Sequence, residues 1–405
     1  MTINLRFKSL IAVALLSGFS SVAAASAEEN NGPAPEATAA EAELSFRDIP
    51  YLEKGFIDTA PADRKDGISV GELGADGGNK DMIVKLAQEI ADGKHGRFDS
   101  LLIAHKDKLL FESYYLRGRV NLPHPQASAT KAYTALAIGR AIQLGYLTMA
   151  DLDKPLVSFL MGLDPTKFIK GAETITLHKA MTMRSGIRIS EEQMEELRKN
   201  PSQLKGQGQV QTYLEHSSPV SSESQSFRYQ GVDPNMVMQV LDAVVPGTAK
   251  DFIKNELLDK MGIATYGWWT DVSDLPTAGS RSSMTSRAMV KWGALAINKG
   301  RWQGEQLIPS AFIARATSKI VRHSDDENFL DGDNVSNTGY GYFWWQADLS
   351  TGDKSYLSKA ARGGGGQYII VIEELDLVVV VTAHDRNNDT SSLTAKRILP
   401  AFVNY

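Results

Sequence analysis

Apolar residues recur at helical spacing in "DMIVKLAQEIADGK" (Asp81–Lys94), and Gly93 marks the stop, so a helix is predicted there. In "SLLIAHKDKLLFESYYL" (Ser100–Leu116) two apolar runs flank a Lys-Asp-Lys turn, the pattern of a β-hairpin. Helical patterns then dominate from Ala127 to about Ala316: "KAYTALAIGRAIQLGYL", "ITLHKAMTM", "PNMVMQVLDAVV", "AKDFIKNELLDKMG" and "SRAMVKWGALAIN". Between Ser190 and Gln225 the chain is polar, and "KNPSQLKGQGQ" and "EHSSPVSSESQS" are expected as loops. Strands return with "GYGYFWWQA", "QYIIVIEE" and "DLVVVVTAH". A last helical pattern, "SSLTAKRILPAF", is interrupted or ended by Pro400.

Strands, then helices, then strands and a helix imply an α+β fold. An antiparallel sheet is formed from both chain ends with flanking helices, and a mainly α-helical subdomain is inserted. The α/β part is expected at about 46–125 and 337–405, and the helical part at about 126–336. Ahead of it, Arg6 and Lys8 precede the apolar run "SLIAVALLSGF", and "ASAEE" offers a small-x-small cleavage site. Residues 1–27 are therefore expected to be a secretory signal peptide, with the mature protein periplasmic or secreted. The run is too short for a membrane span. Residues 28–45, acidic and lacking bulky apolar side chains, are expected as a disordered spacer. The chain has no cysteine, which excludes disulfides, thiol catalysis and cysteine zinc sites. A net charge of −5, dispersed along the sequence, gives no sign of a nucleic-acid partner or an anionic membrane surface.

Three short patterns compete for a reactive serine. "GISVG" (Gly67–Gly71) fits G-x-S-x-G, but that elbow needs a strand before it and a helix after it, and "PADRKD" and "ELGADGG" supply neither. "SQLK" (Ser202–Lys205) fits S-x-x-K, but the glycines that follow would weaken the helix needed to fix the pair, so a solvated loop is expected. "SATK" (Ser128–Lys131) opens a long apolar helix. Residues three apart share a helix face, and a hydroxyl becomes a nucleophile when a neighbour takes its proton. Lysine does so only when neutral, a state that burial favours. The helix N-terminus further favours an alkoxide. The plain alternative is an exposed lysine on an ordinary helix.

In the order "SLLIAHKDKLLFESYY", "SATK", "ITLHKAMTMRSGI", "FRYQGVDPNMVMQVLDAV", "SSMTSRAMVKWGALAINKGRWQGEQLIP", "YGYFWW" and "GGGGQYIIVIEELDLVVVV", the chain resembles the serine β-lactamase-like superfamily. The likeness is to its class C-related branch of esterases, D-amino-acid peptidases and 6-aminohexanoate-dimer hydrolases. It implies the β-lactamase/transpeptidase-like fold, with Ser128 as nucleophile, Lys131 as its base and Tyr229 as the second-motif tyrosine. A phenol relays a proton when positive charge favours its phenolate, and Lys131 is the expected source of that charge. The resemblance makes the backbone N–H groups of Ser128 and Gly364 an oxyanion hole, with Gly365, Gly366 and Gln367 at the substrate-binding strand edge. The glycine run leaves this register open by a residue, and a simple glycine-rich turn is the alternative.

Two departures bear on substrate. The family's Y-x-N asparagine is replaced by Gly231, and the K-T-G lysine or histidine has no clear counterpart, although Arg362 lies near. Strong β-lactamase activity is therefore not expected. The seven histidines show no metal spacing; His105, His178 and His384 are expected to be structural, and His124 to face solvent in a loop, with the cleft as its alternative. "SDDENFLDGDNVSN" (324–337) does not fit a calcium loop. Trp344 and Trp345 are equally suited to an acyl-pocket wall and to the core.

Taken together, these features predict an exported serine hydrolase that cleaves a small-molecule carboxylic ester or small amide through an acyl-enzyme, without cofactor or metal. D-amino-acid peptidase or weak β-lactamase activity is the nearer alternative, and a non-catalytic cell-wall-ligand module the more distant one. Natural substrate and oligomeric state are left open by the sequence.

Overall fold

The valine- and isoleucine-rich runs near the C-terminus have no polar face, and both become central strands buried on two sides. In the computed structural model, which describes residues 32–322, 332–386 and 388–403, they lie within a ten-stranded sheet. Its main strands are β1 (Phe56–Asp58), β2 (Phe98–His105), β3 (Lys108–Tyr114), β4 (Val335–Tyr340), β5 (Trp345–Thr351), β6 (Lys354–Gly363), β7 (Gln367–Ile372) and β8 (Leu377–Ala383). Their order is β1-β3-β2-β8-β7-β6-β5-β4, closed at the far edge by Val321–Arg322. The N-terminal hairpin thus joins the C-terminal meander through the antiparallel pair β2–β8, and the sheet is built from both chain ends as expected. Lys106 and Asp107 at the hairpin turn both take left-handed φ, 49° and 62°, as a two-residue connection requires.

One face of the sheet is covered by the helix Ser286–Ile297. Its Gly293 is needed there, since a Cβ would stand 2.4 Å from Val378 Cγ1. The other face is covered by the helix Lys80–Ala91, capped by Asn79 and burying Ile83, Leu86, Ala87 and Ile90, together with the C-terminal helix. That last helix runs through Pro400 with a wide π turn at Thr394–Ile398, which accommodates the missing N–H. In the helical part, α1 (Thr130–Gln143) is the central rod, buried at every residue from Thr130 to Ala141. It packs against α2 (Val232–Val244) and the end of β6.

One expectation is corrected. The supposed spacer, over its described residues from Gly32, is laid along the body. Thr38 and Glu41 form a capping box on the short helix Ala39–Ala42, Val120 N–H donates to Pro35 O, and Glu41 pairs with the buried Arg119 at 3.2 Å. Polar contacts order this arm without bulky apolar residues. The polar region 190–225 also contains helices, Glu191–Arg198 and Gly208–His216. The first begins at a Ser190–Gln193 capping box, and the second buries Val210, Tyr213 and Leu214. The expected signal peptide and residues 324–331 of the acidic stretch lie outside the described residues. Among the described residues no helix is long and apolar enough to cross a membrane.

Candidate active site

Ser128 occupies a single 3-10 turn, Ala127–Ala129, that leads the chain from the short strand His124–Pro125 into α1. Ala127 takes φ 45°, a left-handed conformation costly for a residue with a Cβ, and so redirects the chain sharply just before the serine. Ser128 therefore sits ahead of the first helical turn, where backbone N–H groups point outward and the helix dipole favours negative charge.

Lys131, one turn on, is 5% exposed. Its ammonium nitrogen lies 3.0 Å from Ser128 Oγ and 2.7 Å from the carbonyl oxygen of Gly279. Burial lowers its pKa to about 8. Gly279 also keeps the lysine channel narrow, for a Cβ there would lie 3.5 Å from Lys131 Cε and 3.3 Å from Pro234 Cγ. This carbonyl was invisible to side-chain reasoning. Its segment is held by Ser282, whose Oγ is 2.7 Å from Thr130 Oγ1 and whose carbonyl accepts from Gln126 N–H.

Tyr229 stands just before α2 and presents its ring to Lys131, whose nitrogen is 4.7 Å from the ring centre. Burial raises the phenol's pKa; hydrogen bonding with Ser128 and the charge of Arg362 act in the opposite direction without prevailing. Lys131, the cation expected to act on the phenol, lies over its ring, and the charge of Arg362 acts in the same sense. Trp345 lies tilted against Tyr229 at 5.5 Å, and Tyr340 meets it edge-on at 6.1 Å. Trp344, by contrast, is fully buried in the core. Arg362, near the end of β6, lies beside these rings, its Cζ 6.0 Å from the ring centre of Trp345 and 5.8 Å from that of Tyr368.

The glycine run is the turn between β6 and β7, and its members divide between two sides. A Cβ on Gly363 would fall 2.1 Å from the carbonyl oxygen of Gln126, so glycine lets β6 close against the turn that carries Ser128. Gly364 has open space around it. Gly365 and Gly366 take φ 97° and 99°, and Gly366 packs on Ala383 and Asn388. Gln367, expected at the substrate edge, turns its amide inward: Nε2 donates to Ala383 O at 2.7 Å and Oε1 accepts from Ala383 N–H at 3.3 Å. Its side chain braces β7 against β8. Gly231 leaves open space where the related Y-x-N pattern has a side chain.

Sequence reasoning missed Asp233 in the first turn of α2. It is fully buried, accepts from Gln230 Nε2 at 2.6 Å, and burial pushes its pKa up to about 7. The decoys stay apart from this site. Ser69 is exposed on a two-residue strand, and Ser202 donates to Asn200 Oδ1 while Lys205 faces solvent. His105 and His178 make core contacts, to Phe402 and Tyr342. His124, expected in a solvent-facing loop, is instead buried beside Asp99. Among the described residues no group of three or more histidines or carboxylates is arranged to hold a metal ion.

A family model described as Beta-lactamase matches residues 85–401. Among solved structures, a Bacillus anthracis protein named for 6-aminohexanoate-dimer hydrolysis superposes with a TM-score of 0.55 at 16% identity, covering 75% of this chain and 78% of its own. A D-stereospecific amidohydrolase from Streptomyces gives 0.55 at 16% identity, covering 76% and 94%. A mutant class C beta-lactamase gives 0.59 at 14% identity, covering 80% and 97%. At such identities the likeness establishes the fold.

Proposed function

The chain belongs to the Beta-lactamase family, and from that premise we propose that it cleaves carboxylic esters or small amides through an acyl-enzyme on Ser128. The observation that carries this reading is the buried Lys131 amine, 3.0 Å from the Ser128 hydroxyl and brought by burial to a pKa of about 8. An ordinary surface lysine is almost wholly protonated at neutral pH and cannot accept a proton.

In the reaction, Ser128 Oγ attacks the substrate carbonyl carbon as its proton passes to neutral Lys131. The resulting oxyanion is held by the backbone N–H groups of Ser128 and Gly364, donors that act without reorganising. Collapse breaks the bond to the leaving group, which takes a proton from the Tyr229 hydroxyl; Lys131 returns a proton to Tyr229. Water then attacks the acyl ester, the same pair accepts its proton and passes it to Ser128 Oγ as the acyl bond breaks, and the acid leaves. Burial, which keeps the Tyr229 phenol protonated, suits it to the donor step, and Lys131 to the acceptor step.

Esters are the first choice, because their leaving groups need least help from an acid. Small amides, including D-amino-acid derivatives, come second, a reading supported by the likeness to the D-stereospecific amidohydrolase. The open space at Gly231 speaks against tight retention of a β-lactam side-chain amide. Export through a cleaved N-terminal signal is part of the same proposal.

The test is intact-protein mass after exposure to a fluorophosphonate, which loses fluoride as Ser Oγ bonds to phosphorus. One adduct on the wild type and none on Ser128→Ala supports the reading. Folded wild type without an adduct refutes it in favour of a binding module.

A further inference from the structure

Asp99, at the start of β2, is fully buried and takes no part in the chemistry described so far. Its Oδ2 lies 3.0 Å from His124 Nε2 and 2.7 Å from His384 Nδ1, and its Oδ1 accepts the Arg117 N–H at 2.9 Å. Burial alone would raise this carboxyl's pKa, but the two histidines hold it below its ordinary value. One carboxylate thus joins two rings that are 260 residues apart in the chain.

What each ring adjoins gives the cluster its meaning. His124 begins the short strand that runs directly into the Ser128 turn. Its carbonyl accepts from Gln126 Nε2 at 2.9 Å, Gln126 Oε1 accepts from Tyr133 OH at 2.8 Å, and the Gln126 carbonyl accepts from Ala129 N–H. Its other ring nitrogen, Nδ1, lies 3.0 Å from Pro125 O. His384 sits between the two residues that grip the glycine turn. Ala383 holds both polar atoms of Gln367, and Asp385 N–H donates to Gly365 O at 3.0 Å. One histidine therefore fixes the chain that delivers the Ser128 N–H, and the other the turn that delivers the Gly364 N–H.

The N-terminal arm closes the cluster from outside. The Phe46 ring stands edge-on to His124 at 4.3 Å and to His384 at 6.2 Å, and Tyr51 OH is 3.0 Å from His384 Nε2. Arg117 lies over both arm rings, 5.5 Å from that of Phe46 and 5.0 Å from that of Tyr51.

We infer that Asp99, acting through His124 and His384 beneath the N-terminal arm, is a positioning residue that sets the separation of the two oxyanion-hole donors. The inference rests on the acyl-enzyme reading above. Two hydrogen-bond donors serve a developing oxyanion only at the correct spacing, and a misplacement of about 1 Å costs on the order of 100-fold in rate. Ground-state binding of the rest of the substrate does not depend on that spacing.

The experiment measures kcat and KM per fluorophosphonate-titrated active site for wild type, Asp99→Asn, His384→Gln and Phe46→Ala. Asparagine keeps the shape but sets an N–H against the donors of the rings. The expected result is a fall in kcat of about 10- to 100-fold for Asp99→Asn with KM unchanged, and a smaller fall in the same sense for the other two. Should Asp99→Asn fail to fold, His384→Gln decides by the same readout. A purely structural cluster would lower the melting temperature and the titrated fraction while leaving kcat per site at the wild-type value, and that result overturns the inference. So does a rise in KM at constant kcat. Wild type that is never labelled refutes the functional reading instead, and is seen before any variant is compared.

Discussion

Replacing Lys131 with methionine should abolish Ser128 reactivity and, at neutral pH, make the protein more stable. Burial takes the lysine from an ordinary 10.5 to about 8. At about 1.4 kcal/mol per unit, the folded state bears about 3 kcal/mol against the charged form. Because the folded value is the lower one, that stability is fully present only above about pH 10 and is lost as pH falls to about 8. Methionine has no charge to bury but leaves the Gly279 carbonyl without its donor, which costs about 1–2 kcal/mol. The net expectation is a gain of about 1–2 kcal/mol at pH 7 that turns into a loss of about 1–2 kcal/mol above about pH 10, read from urea unfolding on either side. The same depression makes about one lysine in ten neutral at pH 7, roughly 300-fold more than for an unperturbed lysine. The wild-type rate of fluorophosphonate labelling should therefore rise along a single limb centred near pH 8. A limb centred near 10, a flat profile, or Lys131→Met labelling at the wild-type rate would refute the assignment of Lys131 as base.

Alanine placed at two neighbouring glycines should have opposite effects. Gly363→Ala puts a Cβ 2.1 Å from a backbone oxygen and should cut Ser128 labelling at least about tenfold, whereas Gly364→Ala enters open space, keeps its N–H and should label normally. The reverse ranking would mean that the turn does not pack on the Ser128 segment as described. Asp233→Asn tests the other buried acid. Its pKa of about 7 lies above the ordinary 3.8, so its stabilising contribution is full below about pH 4 and lost as pH rises through 7. The asparagine variant should gain up to about 4 kcal/mol over wild type at pH 8 and nothing at pH 4, measured as urea midpoints. Equal midpoints at pH 8 would show that burial does not raise this acid's pKa and that the folded state accommodates its carboxylate.

Much of the architecture was legible because it depends on period and on pairs close in sequence. The hairpin around Lys106–Asp107, the helix after "SATK" and the C-terminal strands declare themselves through residues whose neighbours are local. What stayed hidden depends on distant partners. The first part of the N-terminal arm, residues 32–45, looks unable to order itself, and alone it would be; its order is supplied by Arg119, Val120 and Asn121. Gln367 looked like a ligand contact because it borders a glycine run, but its amide is claimed by Ala383, sixteen residues on. His124 looked like a loop histidine because only the fold brings Asp99 against it. The carbonyl of Gly279 leaves no side-chain signature at all.

The two S-x-x-K patterns isolate what the letters cannot carry. Ser202 and Lys205 have the same spacing as Ser128 and Lys131, but Lys205 is exposed and the Ser202 hydroxyl bonds to Asn200. At Lys131 the spacing supplies the 3.0 Å contact and the fold supplies the rest: a helix buried along its length, a carbonyl that directs the amine, and an aromatic face rather than a carboxylate beside it. A carboxylate in Tyr229's place would raise the lysine's pKa and remove the proposed base, whereas a ring tolerates either protonation state. On the proposed mechanism the chemistry follows from what surrounds the pair more than from the pair itself, and burial is the variable that separates the copy proposed to react from the exposed one.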